Sequence, residues 1–500
     1  MINKSTNMEI WEKIKNDKFL NFIIIISLVA LNVIIKSFYL TDYNIDVDEP
    51  FSLFHSQQPL NELFKIFIWE NNPPLFFVIL HFWIKMFGIG VVSARFLPML
   101  FSALAVIFIY KIGRKFLTQK IAIGASLLYT FSNLNIMEAH DTRVYSLFVL
   151  LTTASMYFYF SLIGSENKRK YSIALTVTNI LLIYAHFLAF FIIILQAIYT
   201  LLIPSVRKKI FKQHLYSSIL LFISYLPYLY FLIERFTRTV QAGVYSKIQL
   251  INLYGSFLNT FGNSFLAGNN FLLILFIFAL YAIITRSKLT IYETMILGWS
   301  LFLFLVIFLI SFKIRIITVP KYLIFLTPGF FLTLMIAVNY ISKSYKVFTY
   351  LLISFYVFLM IISSDLNYSQ KLDSKKVVSY IETHKTDSTL VYIAPPWIDL
   401  VFTYHFNIEA FKDYKNYKSF LNDNNIFSIS SADDIDISRL MKASDVFLLD
   451  GWDNMSVVDP NNTIEKTLNT QYGVLDTTIS YCGYKIFHFS PNTITRNTTP

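Results

Sequence analysis

Apolar runs of membrane-spanning length, separated by short polar turns, fill most of this chain. The first run, Phe19–Tyr39, follows a segment carrying Lys4, Lys13, Lys15 and Lys18. Basic residues collect on the cytoplasmic side of a membrane, so residues 1–18 are expected inside. No small-residue cleavage site follows the run, which predicts a retained anchor and not a signal peptide. Residues 41–72 then hold Asp42, Asp46, Asp48, Glu49, Glu62 and Glu70 against Lys65 alone, the pattern of an outer loop. The next apolar stretch, 73–88, is about 15 residues long, short of the roughly 20 needed to span. Its aromatics and Lys85 predict a helix lying at the outer interface.

The alternation continues along the chain. Residues 91–110 lead inward to KIGRK (111–115), 121–137 lead outward to EAHDTR (138–143), and 144–163 return to SENKRK (165–170). The run 171–203 begins and ends beside basic turns, so it must cross twice, which predicts two short helices with their outer tip near His186. Residues 215–233 go out, 234–268 form an outer loop, 269–285 come in, 294–312 go out, 322–340 come in and 346–363 go out. The expected architecture is a polytopic α-helical membrane protein with about eleven transmembrane helices plus juxtamembrane helices. The membrane domain covers 19–365, with 41–90 as an outer loop region.

From about Lys371 charge and Asn rise and apolar runs shorten. TLVYIAP (389–395), DVFLLDG (445–451) and YKIFHFS (484–490) read as strands, with helices at 377–384, 397–406 and 436–443 between them. Residues 366–500 are expected to form an extracytoplasmic α/β domain, since about 130 residues can bury their own core. No glycine-rich phosphate loop appears there, so it is assigned no catalysis.

Composition agrees with this picture: 55% apolar residues, 50 Phe, 32 Tyr and only 15% charged residues, with a mean hydropathy of +0.54. The net charge of +11 lies in short clusters between apolar runs, which is topology-setting charge and gives no reason to expect nucleic acid. The single cysteine, Cys482, excludes an internal disulfide and any cysteine-based metal site.

The expected topology puts three polar clusters on the outer face: Asp46/Asp48/Glu49, Asp141/Arg143/Tyr145, and Lys313/Arg315 with Lys321/Tyr322. A carboxylate can take the proton of an acceptor hydroxyl. Cations can stabilise a departing phosphate, and arginine grips it in bidentate fashion. Together they suit group transfer from an anionic lipid donor. Each cluster also has an ordinary reading. Asp48-Glu49-Pro50 is a good helix start, Asp141 and Arg143 could pair at a helix end, and Lys321-Tyr322 could anchor a span at the interface. His186 in an apolar run is more often a packed core histidine than a ligand.

The ordered set of motifs resembles the polytopic lipid-phosphosugar glycosyltransferases of the C-type fold, family 39 and its relatives, which include the protein O-mannosyltransferases and the aminoarabinose transferase of lipid A. Asp48-Glu49 match that family's acidic pair after the first span. Pro73-Pro74 match its juxtamembrane prolines, followed by SARFLP (93–98). HDTRVY (140–145) stands for Gln-Glu-Ala-Arg-x-Tyr, LIYAHFLA (182–189) for its Tyr-Thr-His-Tyr segment, and VPKYLIFLTP (319–328) for its Pro-Arg-Tyr motif. The resemblance implies an inverting transfer from a polyprenyl-phosphate-linked sugar to a lipid, glycan or protein acceptor at the outer face of the cytoplasmic membrane. In that picture Asp48 is the base and Glu49 supports it. Asp141 assists the acceptor or positions Arg143, and Arg143 with Lys321 and Tyr322 takes the donor phosphate. Some relatives place a His or Glu just before Pro-Pro for a metal, where this chain has Asn71-Asn72. A divalent metal ion therefore stays open, with His186 its candidate ligand. Two other functions fit a polytopic chain. A glycolipid transporter or flippase would carry its charges near the midplane on broken helices, often with internal repeats. A non-catalytic polysaccharide-assembly protein would use the C-terminal domain as its binding module. Here the charges collect on one face and no repeat is found.

Overall fold

The computed structural model describes residues 4–42, 44–46, 48–68, 70, 72–241, 251–263, 289–312, 319–343, 345–366 and 372–491. These residues form two compact units. One comprises residues 1–40, 64–79 and 95–368; the other comprises 41–63, 80–94 and 369–500. Residues 41–63, with Asp46, Asp48 and Glu49, thus fall with the C-terminal residues, while Glu70 falls with the first unit.

The first unit is helical. Among the described residues five helices are long and apolar enough to cross a membrane: Asp17–Ser37, Val91–Phe116, Tyr145–Gly164, Ile291–Ser311 and Pro320–Ser342. Three more apolar helices are shorter: Leu75–Phe87, Ala189–Leu202 and Ile353–Ile362. Phe19, Phe22, Leu202 and Leu309 are exposed on such helices, as expected of sides that face lipid. Helix starts follow local chemistry. Thr290 and Glu293 form a capping box at the start of Ile291–Leu297, and the Asn167 side chain accepts the Lys170 amide at 3.1 Å.

Buried polar side chains join helices where water cannot. Ser155 Oγ donates to Asn179 Oδ1 (2.6 Å), Asn179 Nδ2 to Gln196 Oε1 (3.0 Å), and Gln196 Nε2 back to Ser155 Oγ (2.7 Å). This closed ring ties together Tyr145–Gly164, Lys168–Ala185 and Ala189–Leu202. Elsewhere glycine permits close approach. A Cβ on Gly329 would meet Trp299 at 2.8 Å, and the fully buried Trp299 donates its indole N–H to the Phe325 carbonyl at 2.9 Å.

Three expected segments differ. The span expected over 121–137 is a helix to Thr130 followed by a separate turn, Asn133–Met137. The break is stabilised by Asn263, whose Oδ1 accepts the Asn133 amide at 2.9 Å. The helix expected over 215–233 runs from Pro204 to Gln241 and continues through Pro227. The loop expected over 234–268 contains the helix Ile251–Phe261. The span expected over 269–285 lies outside the described residues.

In the second unit a five-stranded sheet has the order β2-β1-β3-β5-β4. The strands are β1 (Leu390–Ala394), β2 (Ile426–Ser428), β3 (Val446–Gly451), β4 (Gly473–Tyr481) and β5 (Tyr484–Pro491). β1 pairs in parallel with β2 and β3, while β5 runs antiparallel to β3 and β4. Alternate residues of the wholly buried β1 and β3 feed two cores. Val391, Ile393, Phe447 and Leu449 join Val377, Ile381 and Phe402 on one side. Leu390, Tyr392, Val446 and Leu448 join Leu440, Ile464 and Leu468 on the other. Helices therefore cover both faces, as β-strands without a polar side require.

Candidate active site

In the first unit, Arg143 closes the turn before helix Tyr145–Gly164, with its amide donating to the Asp141 carbonyl at 2.7 Å. Its guanidinium is buried (6% exposed) and its Nη2 lies 3.2 Å from Glu70 Oε1, itself on a buried residue (7%). The same Glu70 oxygen accepts the amide and the side-chain N–H of Asn72, each at 3.0 Å. Phe77 covers the arginine, with ring centroid 5.9 Å from the guanidinium carbon. A buried pair of this kind survives desolvation only when such further hydrogen bonds accompany it.

Lys321 and Tyr322 lie on the 3₁₀ segment Pro320–Leu326. That segment is held by Trp299 through Phe325 and by Thr327. The Ile324 carbonyl precedes Pro328 by four residues, and proline has no N–H for it. It accepts instead from the Thr327 amide and from Thr327 Oγ1 at 2.8 Å. Lys321 Nζ stands 5.2 Å over the Tyr145 ring. Tyr145, His186 and Tyr322 form a triangle of rings with centroids 6.2, 6.0 and 5.9 Å apart. Both Lys321 and Tyr322 are half-buried, so the cluster reaches accessible surface.

His186 is the break between helices Lys168–Ala185 and Ala189–Leu202, at the expected position. Its backbone is extended and its Nδ1 accepts the Leu188 amide at 3.1 Å, while its ring stacks on Phe148 at 4.5 Å. Among the described residues no group of three or more His, Cys, Asp or Glu side chains could hold a metal ion.

Asp46, Asp48 and Glu49 lie in the second unit. Asp48 is the N-cap residue of helix Glu49–Gln57 and Pro50 sits in its first turn, as the sequence pattern predicts. The Asp48 carboxylate makes no capping bond, however; its backbone carbonyl accepts the Ser52 amide and hydroxyl, each at 3.1 Å. Asp48 is half-buried, whereas Asp46 and Glu49 are buried. Asp46 Oδ1 accepts the Tyr484 hydroxyl at 2.6 Å, and burial followed by this carboxylate pushes the phenol pKa far up. The Ile45 carbonyl meets His405 Nε2 at 2.8 Å, and burial lowers that imidazole to about 4. A neutral His405 donates this bond.

The structure thus brings Arg143, Lys321, Tyr322 and His186 into the first unit with Asp141, and Asp48 and Glu49 into the second. Lys313, Arg315 and Asn71 lie outside the described residues. Two residues were missed by sequence reasoning. Glu70 was one acid among several in the loop; the need of Arg143 for a counter-charge could have singled it out. Lys36 sits inside the first apolar run, itself a signal of a functional or structural polar site. It is fully buried, 2.5 Å from Ser102 Oγ and 4.7 Å over the Tyr129 ring, and its carbonyl meets His140 Nε2 at 2.7 Å.

Residues 71–231 match the family model described as dolichyl-phosphate-mannose-protein mannosyltransferase. Among solved structures, ArnT from Cupriavidus metallidurans in the apo state superposes with a TM-score of 0.59 at 12% identity, covering 93% of this chain and 97% of ArnT. The chain has the C-type glycosyltransferase fold. The ArnT structure bound to undecaprenyl phosphate gives a TM-score of 0.53 at 10% identity, covering 93% and 97%. The Archaeoglobus fulgidus oligosaccharyltransferase AglB, in complex with an inhibitory peptide and a dolichol-phosphate, gives 0.51 at 10% identity, covering 97% of this chain and 75% of AglB. No curated protein matches in sequence. With its C-type fold and apolar helices, the chain is a multi-pass membrane protein that resembles the family-39 transferases.

Proposed function

We propose that this protein is an inverting glycosyltransferase. It moves a sugar from a polyprenyl-phosphate-linked donor to an acceptor at the outer face of the cytoplasmic membrane. The observation that carries the reading is that the family match, residues 71–231, contains the buried Arg143 that begins a spanning helix. Structural neighbours captured with undecaprenyl phosphate and dolichol-phosphate support the class of donor.

In this reading the Asp48 carboxylate accepts the proton of the acceptor hydroxyl as its oxygen attacks the anomeric carbon. The bond from that carbon to the phosphate oxygen breaks, and polyprenyl phosphate leaves with the electron pair. Arg143 and Lys321 stabilise the phosphate as its charge grows, and Tyr322 donates a hydrogen bond to it. Glu49 supports Asp48, and Asp141 positions Arg143 or the acceptor.

The test is direct. Purified full-length protein is incubated with undecaprenyl-phosphate-linked mannose, glucose and aminoarabinose, and released undecaprenyl phosphate is measured with and without candidate acceptors. Turnover of at least one donor with inverted product is expected. Failure on every donor, by protein that is folded and monodisperse, removes the reading.

A further inference from the structure

An α/β sheet holds ligands at the carboxyl ends of its parallel strands, where the strand order changes direction. Here that place lies between β1 and β3, because the chain passes from β1 to β2 on one side and then to β3 on the other. The chain's own acidic loop is found there. Tyr484 pairs with Gly451, the last residue of β3, and its hydroxyl donates to Asp46. His405 on the helix that follows β1 bonds the Ile45 carbonyl, and the Asn44 side chain donates to the Leu372 carbonyl at 3.1 Å. Phe54, on the helix that Asp48 caps, packs edge-on against Phe411 and Tyr417 with centroids 5.5 and 4.7 Å away.

We propose that the C-terminal sheet is the holder of the acidic loop, with Tyr484 and His405 as positioning residues for Asp48. The proposal rests on the reading of Asp48 as the base. It gives the C-terminal residues a task in the reaction without a ligand of their own.

The bond from Tyr484 is directional. The Trp452 indole donates to the Tyr484 oxygen at 3.2 Å, which leaves the phenolic proton for Asp46. Trp452 reaches that position by adopting a left-handed backbone (φ +60°), followed by Asp453 at +53°. Such conformations are costly for residues with a side chain and persist only where the surroundings fix them. Here the Trp452 amide donates to the Gly483 carbonyl at 2.6 Å, and Lys485 holds Asp453. The Asp46 carbonyl in turn accepts the Glu49 amide at 3.1 Å, closing the turn that contains Asp48. Fixing Asp46 therefore fixes the direction in which Asp48 leaves the backbone.

The experiment uses full-length protein in detergent and compares wild type with Tyr484→Phe, His405→Leu and His405→Gln. Hydrogen exchange is followed at the Glu49 and Ser52 amides. Tyr484→Phe and His405→Leu should speed exchange there at least tenfold while β1 and β3 stay protected. His405→Gln keeps a donor nitrogen and should restore most of the protection. With the same undecaprenyl-phosphate-linked sugars, the two loosening variants should lower kcat at least tenfold and leave the donor KM within twofold. Unchanged exchange overturns the docking whether or not any donor is turned over. A loosened loop with unchanged kcat overturns the positioning role. Wild type inert toward every donor removes the transferase reading instead, and the exchange result still decides the docking.

Discussion

Arg143 and Asp46 are both buried charged side chains beside a strong hydrogen-bonding partner, but they reach those partners in different ways. Glu70 precedes Arg143 by 73 residues, inside the same helical unit, whereas Tyr484 follows Asp46 by 438. The arginine is placed by regular structure: a helix start, a short turn and a covering phenylalanine. The aspartate is in irregular chain and takes its order from a sheet formed near the other end of the sequence. The cations can thus keep their places through local changes elsewhere, while the acidic loop depends on distant residues.

Substitutions can break this comparison at either end. Asp48→Asn should have the largest effect, lowering transfer by roughly 10²–10⁴ while the protein remains folded in the membrane. Retained turnover in that variant would remove its role as base. Arg143→Ala and Glu70→Ala should each cost about 3–5 kcal/mol of stability, because each strands a buried charge. Replacing both by Met should cost much less than the sum, and additive losses in thermal unfolding would show that the pair is not coupled.

A smaller effect concerns pH. Burial raises the Asp399 carboxyl to about 6 from an ordinary 3.8, even though Ser428 Oγ donates to it at 3.0 Å. From about pH 4 to 6 the folded chain holds a proton that the unfolded chain has released, so this residue lowers stability as pH rises. His405 acts oppositely. Held near 4, it stays neutral where the unfolded imidazole is protonated, so stability rises from about pH 4 to 6.5. Each slope is worth on the order of 3 kcal/mol. Asp399→Asn should leave the His405 rise uncompensated. Exchange at β1 and β3 amides in the full-length protein would reveal it, and a flat profile would refute the balance. Smallest is Lys321→Ala, expected to raise the donor KM roughly tenfold with little change in unfolding temperature. A matching loss of stability would mean that Lys321 packs on Tyr145 and does no more.

Regular features were legible in the sequence where a single physical rule dominates. Charge at both ends of 171–203 demanded a break, and His186 supplies it. The proline and the capping residue marked the helix start at Pro50. Short or polar strands were not legible. β2 has only three residues, and β4 reads as Gly-Val-Leu-Asp-Thr-Thr-Ile-Ser-Tyr, with an irregularity between Leu475 and Thr477 that hides its alternation. Partners remote in sequence left no trace at all. Nothing in DVDEP announces Tyr484, since a hydrogen bond across 438 residues has no local pattern. Glu70 was visible as an acid, but its bond to Arg143 depends on a fold that brings the two turns together.

The bond between Asp46 and Tyr484 also has a consequence in time. Synthesis proceeds at about 5–20 residues per second, so on the order of 20–90 s separate the two residues as the chain is made. Throughout that interval the spanning helices can enter the bilayer while the acidic loop lacks its fastening. A chain cut short between Leu326 and β5 would carry Asp48, Arg143 and Lys321, yet never acquire the hydroxyl that bonds Asp46. Formation of β5 is thus the step that supplies the Tyr484 bond to Asp46.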